Sequence, residues 1–311
     1  MNSETMNSET ILSVSQLHQH FQINKDLTIK AVNGVSFNIR KGEVVGLVGE
    51  TGSGKSTVAR TIMGIYPATQ GEVYFKGNKI TDKKVYHQNK ADIHNNMQII
   101  FQDSAAALNP RMTVAEIIME PIIVNKLMKD KNKIQQKLDS LLLEVGLDHT
   151  YKNKYPVEIS GGQRQRVAIA RCLSTSPDLI IADEPIASLD VSIQAQIITL
   201  FQKLQREHGF SFLLIAHDLS IIKFICDKVA VMLNGRIMEI GSTKEIFSNP
   251  THPYTQSLLS AVPVPDPIYE RSKILIDYDV KSASEEAEMV EVSPKHSVLN
   301  NFQSFVLQKS Y

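Results

Sequence analysis

The sequence predicts an α/β fold built on a parallel sheet. Three observations carry that prediction. The runs Val44–Val48, Leu179–Ala182 and Phe212–Ala216 are apolar without alternation, as strands covered on both faces are. Segments of helical period stand between them, giving strand–helix–strand alternation. A glycine-rich segment at 49–57, GETGSGKST, joins the first run to the first helical segment.

In chain order, residues 1–10 contain MNSET twice, a polar duplication without apolar partners, and are expected to be disordered. Short β-branched runs follow, Ile29–Val32 and Val35–Ile39, then Val44–Val48 after the Lys41-Gly42 turn. A helix is expected within GSGKSTVARTIMG, where Val58, Ile62 and Met63 share a face, stopped by Gly64 and Pro67. Gly71–Gly77 reads as a strand between glycines. Over 103–158 apolar residues recur at three and four positions, in 113–128 and again in 134–146, which predicts a mostly helical insert. Helices are expected at Gln163–Leu173 and Ser192–His208. Beyond Gly241 the chain turns proline-rich (Pro250, Pro253, Pro263, Pro265, Pro267) and then acidic, marking a C-terminal extension that the tail at 292–311 is expected to complete with a strand.

Composition limits the function. Of 311 residues, 42% are hydrophobic, enough for a substantial core and too many for wholesale disorder. The 33 Lys and Arg balance 33 Asp and Glu, which argues against a generic nucleic-acid binder. No run approaches the roughly 18 apolar residues needed to cross a bilayer, and the N-terminus lacks the basic and apolar regions of a secretory signal. Cys172 and Cys226 lack metal-binding spacing and read as small buried thiols. The expectation is a protein facing the cytosol, joined to a membrane only through partners.

The chemistry starts at 49–57. Gly49, Gly54, Lys55 and Ser56 satisfy G-x-x-x-x-G-K-[ST], with Glu50, Thr51, Gly52 and Ser53 between the glycines and Thr57 after them. Glycines let successive amides converge on a triphosphate, and the dipole of the following helix favours the anion. Lys55 is expected to reach the β- and γ-phosphates and the Ser56 hydroxyl to ligate Mg²⁺. By chance such a pattern appears in about one chain in a hundred of this size, before the flanking strand and helix are counted. LIIADE at 179–184 is an apolar strand ending in two acids: Asp183 suits Mg²⁺ through water, and Glu184 could polarise an attacking water. By itself it could equally be a solvated strand end. EISGGQ at 158–163 offers a second anion nest, Ser160 with two glycine amides at a helix start; taken alone it would be an ordinary N-cap.

With these in order, the sequence resembles the ATP-binding-cassette family over roughly residues 11–240. Ile159-Ser160-Gly161-Gly162-Gln163 matches the family signature, with isoleucine where leucine is usual. The resemblance implies a phosphate-loop NTPase cassette: a RecA-like core, an antiparallel β subdomain, a helical subdomain at about 103–159, and here an extension over 241–311. It implies that Gln102 senses Mg²⁺ and water while linking to a membrane partner, that Ser188-Leu189-Asp190 crosses a dimer interface, and that His217 contacts the γ-phosphate. It also places Phe21 where an aromatic stacks on adenine. Ser160, Gly161, Gly162, Gln163 and Asp190 would contact ATP held by a second cassette in a head-to-tail dimer.

Three further segments resemble the oligopeptide and dipeptide importer branch: QDSAAALNPRMTVAEII after Gln102, ASLDVSIQAQIITLF at 187–201, and NPTHPYTQSLLSAVPVPDP at 249–267 with an amphipathic stretch Thr255–Val262. VPVPDP points to the second of two unlike ATPase subunits. The implied partners are a non-identical ATPase subunit, two permeases and, indirectly, an extracytoplasmic binding protein. No nucleic-acid partner is implied. Some relatives hold an iron–sulfur cluster through C-terminal cysteines; with none beyond Cys226, no cluster is expected here. A nickel or metallophore importer of the same branch stays open. Non-transport members in DNA repair or translation fit less well, because about 105 residues without sustained heptads separate phosphate loop and signature, and the chain has one cassette with zero net charge. Met112, Val114, Ile117 and Ile118 could form a dock for the membrane partner or pack on the cassette.

Overall fold

In a computed structural model the described residues are 9–263, 275–276, 278 and 287–300. Residues 1–8 of the duplicated MNSET lie outside these, as do the segment VPDP at 264–267, the acidic stretch at 281–286 and the last residues of the tail; the disorder expected over 1–10 does not hold at its end, where Thr10 is a strand residue paired with Arg40. In chain order the elements are β1 (Thr10–Gln22), β2 (Thr28–Arg40), β3 (Val44–Val48), α1 (Lys55–Ile62), β4 (Gln70–Phe75), β5 (Asn78–Lys79), α2 (Lys83–Asn96) and β6 (Met97–Ile100). Then come α3 (Ser104–Ala107), α4 (Val114–Val124), α5 (Lys131–Glu144), α6 (Gly161–Leu173), β7 (Leu179–Asp183), α7 (Val191–His208), β8 (Ser211–Ala216) and α8 (Leu219–Ile225). β9 (Lys228–Leu233), β10 (Arg236–Ser242), α9 (Thr243–Ser248), α10 (Pro253–Ser260), β11 (Met289–Ser293) and β12 (His296–Leu299) complete the order.

Among the described residues the strands form two sheets. The larger has the order β11-β12-β10-β9-β3-β8-β7-β6. Its β9-β3-β8-β7-β6 part is parallel, and β10, β12 and β11 extend it antiparallel. The three apolar runs read from the sequence are neighbours in it, in the order β3, β8, β7. Their alternate residues feed two cores. Val44, Val48, Ile180, Ala182, Phe212 and Leu214 face the layer of α4–α8, while Val45, Leu47, Leu179, Ile181, Leu213 and Ile215 face α1 and the second sheet. Burial on both faces explains why these strands show no alternation.

The second sheet, β2-β1-β4-β5, is antiparallel. Here the sequence reading needs correction. Ile29–Val32 and Val35–Ile39 are one strand, β2, paired along its length with β1. The register slips between Val14 and Leu17, where Gln16 has a positive φ, and that bulge breaks the alternation a sequence pattern relies on.

The helical layer begins at local caps. Thr113 and Glu116 form a capping box for α4, the Asp130 side chain accepts two amides at the start of α5, and Ser160 with Gln163 forms the box of α6. Val114, Ile117 and Ile118 are at most 1% exposed, and Met112 packs against the same core. Of the two readings of this face the structure takes the plainer one: it is core, not a dock. The tail supplies β12 as expected, but as the second strand of a hairpin with β11, paired to β10 of the main sheet. Among the described residues no helix is long and apolar enough to cross a membrane.

Candidate functional site

The site stands at the carboxyl ends of β3, β7 and β8, where ligands of open α/β sheets bind. The loop between β3 and α1 is held by its glycines. Gly49 has φ +151°, and a Cβ there would lie 2.0 Å from the Met232 carbonyl oxygen. Gly54 has φ +102°, and its Cβ would lie 2.1 Å from the Ala31 carbonyl oxygen. Both positions combine a backbone that L-residues avoid with no room for a side chain. Gly49→Ala is expected to lower stability by more than about 3 kcal/mol, read as an earlier urea midpoint.

Lys55 opens α1 and is almost wholly buried. Its ammonium curls back on the loop, donating to the carbonyl of Gly49 at 2.8 Å, that of Glu50 at 2.7 Å and the Ser53 hydroxyl at 3.3 Å. Burial pushes its pKa down, against the opposing pull of Glu184, Asp183 and Glu50. A triphosphate would add negative charge where the lysine is short of it. Thr51 and Gly52 are exposed, Ser53 is buried, and Gly54, Ser56 and Thr57 are partly exposed at the helix N-terminus.

Asp183 is fully buried at the end of β7. Its Oδ1 accepts the Ser56 hydroxyl at 2.7 Å, and its Oδ2 is buried without a hydrogen-bond partner, with Arg60 no nearer than 4.0 Å. Burial raises its pKa, partly offset by the Ser56 hydrogen bond. An orphaned acid oxygen beside a serine hydroxyl fits a hydrated Mg²⁺, which takes few protein ligands and keeps its waters.

Glu184 follows with φ +47°, a left-handed conformation rare outside glycine, while its N–H still pairs with the Ile215 carbonyl at 3.0 Å. This turn takes its side chain out of the strand's alternation and leaves it 12% exposed. Gln102, beyond β6, donates Nε2–H to Glu184 Oε2 at 2.9 Å, and His217, beyond β8, places Nδ1 3.5 Å from the same oxygen. Three strands far apart in sequence thus bring Gln102, Glu184 and His217 together, with Lys55 and Asp183 close enough to feel the charge of Glu184.

The other singled-out residues stand apart from this cluster. Ser160 accepts the Gln163 amide at 3.3 Å, Gln163 Oε1 accepts the Ser160 amide at 2.8 Å, and Gln163 Nε2 donates to the Tyr151 hydroxyl at 2.6 Å. None of these bonds reaches the phosphate loop. Gly162 lies against Ile193, whose Cγ2 would be 2.7 Å from an added Cβ, so the signature rests on the segment that carries Asp190. Asp190 is exposed at the start of α7, makes no side-chain cap, and precedes Val191, which is 80% exposed. Phe21, near the end of β1, meets Tyr66 edge to face at 5.2 Å. Tyr66 was not singled out by sequence; nor was Arg60 beside Asp183, or Tyr254 beside Glu50. Tyr254 does lie in the peculiar NPTHPYT run, the one signal that could have flagged it.

A glycine loop before α1, buried Lys55, and an aspartate–glutamate pair closing β7, one strand removed from β3, define a phosphate-loop nucleotide-binding ATPase. Its class is fixed more narrowly by comparison: the ABC transporter profile matches residues 32–187. The chain belongs to the ABC transporter ATP-binding family. The profile of the oligopeptide/dipeptide transporter C-terminal region matches residues 238–283. The chain is 48% identical to the oligopeptide transport ATP-binding protein OppF of Bacillus subtilis over 296 residues, 94% of this chain and 96% of that one. It is 46% identical to the oligopeptide transport ATP-binding protein AmiF of Streptococcus pneumoniae, over 94% and 96% of the two chains. Among solved structures it resembles a dimeric cassette, MJ0796, in a post-hydrolysis state bound to ADP and phosphate, with TM-score 0.68, 27% identity and coverage of 75% and 98%. It also resembles cbiO1 of Clostridium perfringens, part of the cbiONQ transporter complex, with TM-score 0.66, 30% identity and coverage of 78% and 92%.

Proposed function

We propose that this chain is the ATP-binding and ATP-hydrolysing subunit that energises oligopeptide import through membrane permeases. One observation carries the ATPase chemistry: Gln102 and His217 converge on one oxygen of Glu184 beside the phosphate loop. The near-full-length likeness to oligopeptide transport ATP-binding proteins carries the cargo.

Lys55 and the loop amides bind and orient the phosphates, and the dipole of α1 supports them. Ser56 and Asp183 are the residues that would hold Mg²⁺, with Gln102 alongside; the ion supplies neutralisation of phosphate charge when bound. Glu184 takes the proton of the attacking water, and Gln102 and His217 fix its carboxylate and the γ-phosphate end of the site. Phe21, backed by Tyr66, stacks on adenine.

The second half of the site comes from a second, non-identical cassette. Ser160, Gly161, Gly162, Gln163 and Asp190 contact the partner's ATP in a head-to-tail dimer, and exposed Val191 belongs to that face. The solved relative in dimeric form supports this arrangement. Coupling to two permeases runs through a cavity of about 690 Å³ lined by His94, Phe101, Glu120, Pro121, Val124 and Arg171, next to the Gln102 segment. The protein then sits peripherally at the cytoplasmic face of the membrane, and an extracytoplasmic binding protein delivers cargo to the permeases.

The test is isolation of the tagged chain with its permeases from its own host, followed by uptake measurements in cells lacking it. Accumulation of labelled peptide should fall at least tenfold and return with the intact chain. Loss of nickel uptake with peptide uptake unchanged would reassign the cargo.

A further inference from the structure

The region after the cassette grips the phosphate loop through one side chain. Tyr254, on α10, is 2% exposed, and its hydroxyl accepts the backbone N–H of Glu50 at 3.2 Å. Burial, with the Glu50 carboxylate beside it, holds the phenol pKa well above its ordinary value, so the hydroxyl stays protonated and can donate as well as accept. Residue 50 is thereby held twice: its N–H by Tyr254 and its carbonyl by Lys55. Glu50 is also the one acidic residue in Gly49–Ser56, so its carboxylate is the group in the loop that repels a polyanion.

Tyr254 is itself fixed from behind. Its N–H donates to His252 Nδ1 at 3.0 Å, and its ring packs on Tyr278 at 5.6 Å, which packs on His252 at 5.7 Å. The His252 N–H donates to Glu239 Oε2 at 3.0 Å and the Thr251 N–H to Oε1 at 2.8 Å. Glu239, fully buried on β10, also meets His296 Nε2 of β12 at 2.7 Å. A continuous buried series therefore runs from β12 through Glu239, His252 and Tyr254 to Glu50. Apolar side chains could fill this space without the cost of desolvating a carboxylate, so what the series adds is a fixed position for the hydroxyl at its end.

We infer that Tyr254 is a positioning residue for ATP, acting through Glu50: it holds the first peptide of the phosphate loop in place and the Glu50 carboxylate clear of the incoming triphosphate, and the C-terminal region sets where it stands. The inference rests on the reading that this loop binds ATP.

A double-mutant cycle on the full-length protein tests it, reading Mg·ATP affinity together with kcat and KM. Tyr254→Phe keeps the ring and removes only the hydroxyl. Loss of one hydrogen bond at the loop should raise Kd and KM about three- to tenfold, with kcat within about twofold. Adding Glu50→Gln should recover most of that loss, because the repelling charge is gone; simple packing damage would not be rescued. Unchanged affinity in Tyr254→Phe, or losses that merely add, would overturn the inference. His296→Leu, remote from the nucleotide, should weaken ATP binding about two- to threefold, and unaltered affinity in that folded variant would remove the series from the account. Should Tyr254→Phe fail to fold, the parent protein still decides: the Glu50 amide should exchange with solvent much more slowly than that of Thr51, and equal rates would refute the contact. Lys55→Ala is run alongside. ATP affinity that survives it removes the phosphate-loop reading itself, whereas its loss with Tyr254→Phe unaffected removes only the role of Tyr254.

Discussion

Replacing Glu184 by glutamine is expected to slow ATP hydrolysis at least about a hundredfold while leaving ATP affinity within about threefold of the parent protein's. The amide is isosteric and cannot take a proton. Gln102 and His217 both approach Oε2, so the substitution keeps the shape of the cluster and removes its basicity. Turnover is the sensitive quantity because little covalent chemistry falls to the protein in phosphoryl transfer; positioning and one proton acceptor make the difference. The measurement is steady-state phosphate release beside equilibrium ATP binding on the same preparation. Turnover within twofold of the parent would dismiss Glu184 as the base and move attention to His217, the other titratable group at that oxygen. A parallel fall in affinity would mean instead that the left-handed turn at Glu184 had collapsed, since φ +47° is tolerated only while its surroundings enforce it.

That turn also marks where sequence patterning stops being informative. The strands β3, β7 and β8 were legible because their burial is complete and local: the runs Val44–Val48, Leu179–Ala182 and Phe212–Ala216 carry no charged or hydrogen-bonding side chain, and no partner need be known. The phosphate loop was legible for a related reason, since its glycines answer to contacts with fixed backbone rather than with variable side chains. α2 was not legible, because Lys83–Asn96 buries little besides Ile93 and so writes no period into the sequence. β10 was hidden by Glu239, a carboxylate in the middle of an apolar strand whose partner His296 lies 57 residues away. Lys228–Leu233 is different: its plain apolar run could have been assigned to the sheet from sequence. The approach of Gln102 and His217 to Glu184 could not, because spacing in the chain says nothing about which strand ends are neighbours. Only the resemblance to a family put those three residues in one site, and the parallel order β3-β8-β7-β6 supplies the physical reason.

Lys55→Ala is expected to weaken ATP binding by about a hundredfold or more, the effect of losing roughly 3 kcal/mol of charge-assisted contact with the phosphates. The lysine is buried with its pKa pushed down, and the carboxylates around it, Glu184, Asp183 and Glu50, offset that only in part. The parent protein therefore carries a desolvated cation that the triphosphate would satisfy, which places the gain on binding rather than on the free state. Of its three acceptors in the free protein, the Ser53 hydroxyl at 3.3 Å is the longest contact and the one a phosphate oxygen can most readily replace, leaving the Gly49 and Glu50 carbonyls to hold the loop. Thermal denaturation separates the two consequences of the substitution. Removing a buried cation relieves a desolvation cost but leaves two carbonyls without their donor, so the melting temperature without nucleotide should move little. Saturating Mg·ATP should raise the melting temperature of the parent protein and leave that of Lys55→Ala unmoved, because stabilisation by a ligand follows its affinity for the folded state. An equal rise in both proteins would show that the phosphates are held elsewhere. A large drop for Lys55→Ala without nucleotide would show that the lysine serves the loop's own fold more than the anion.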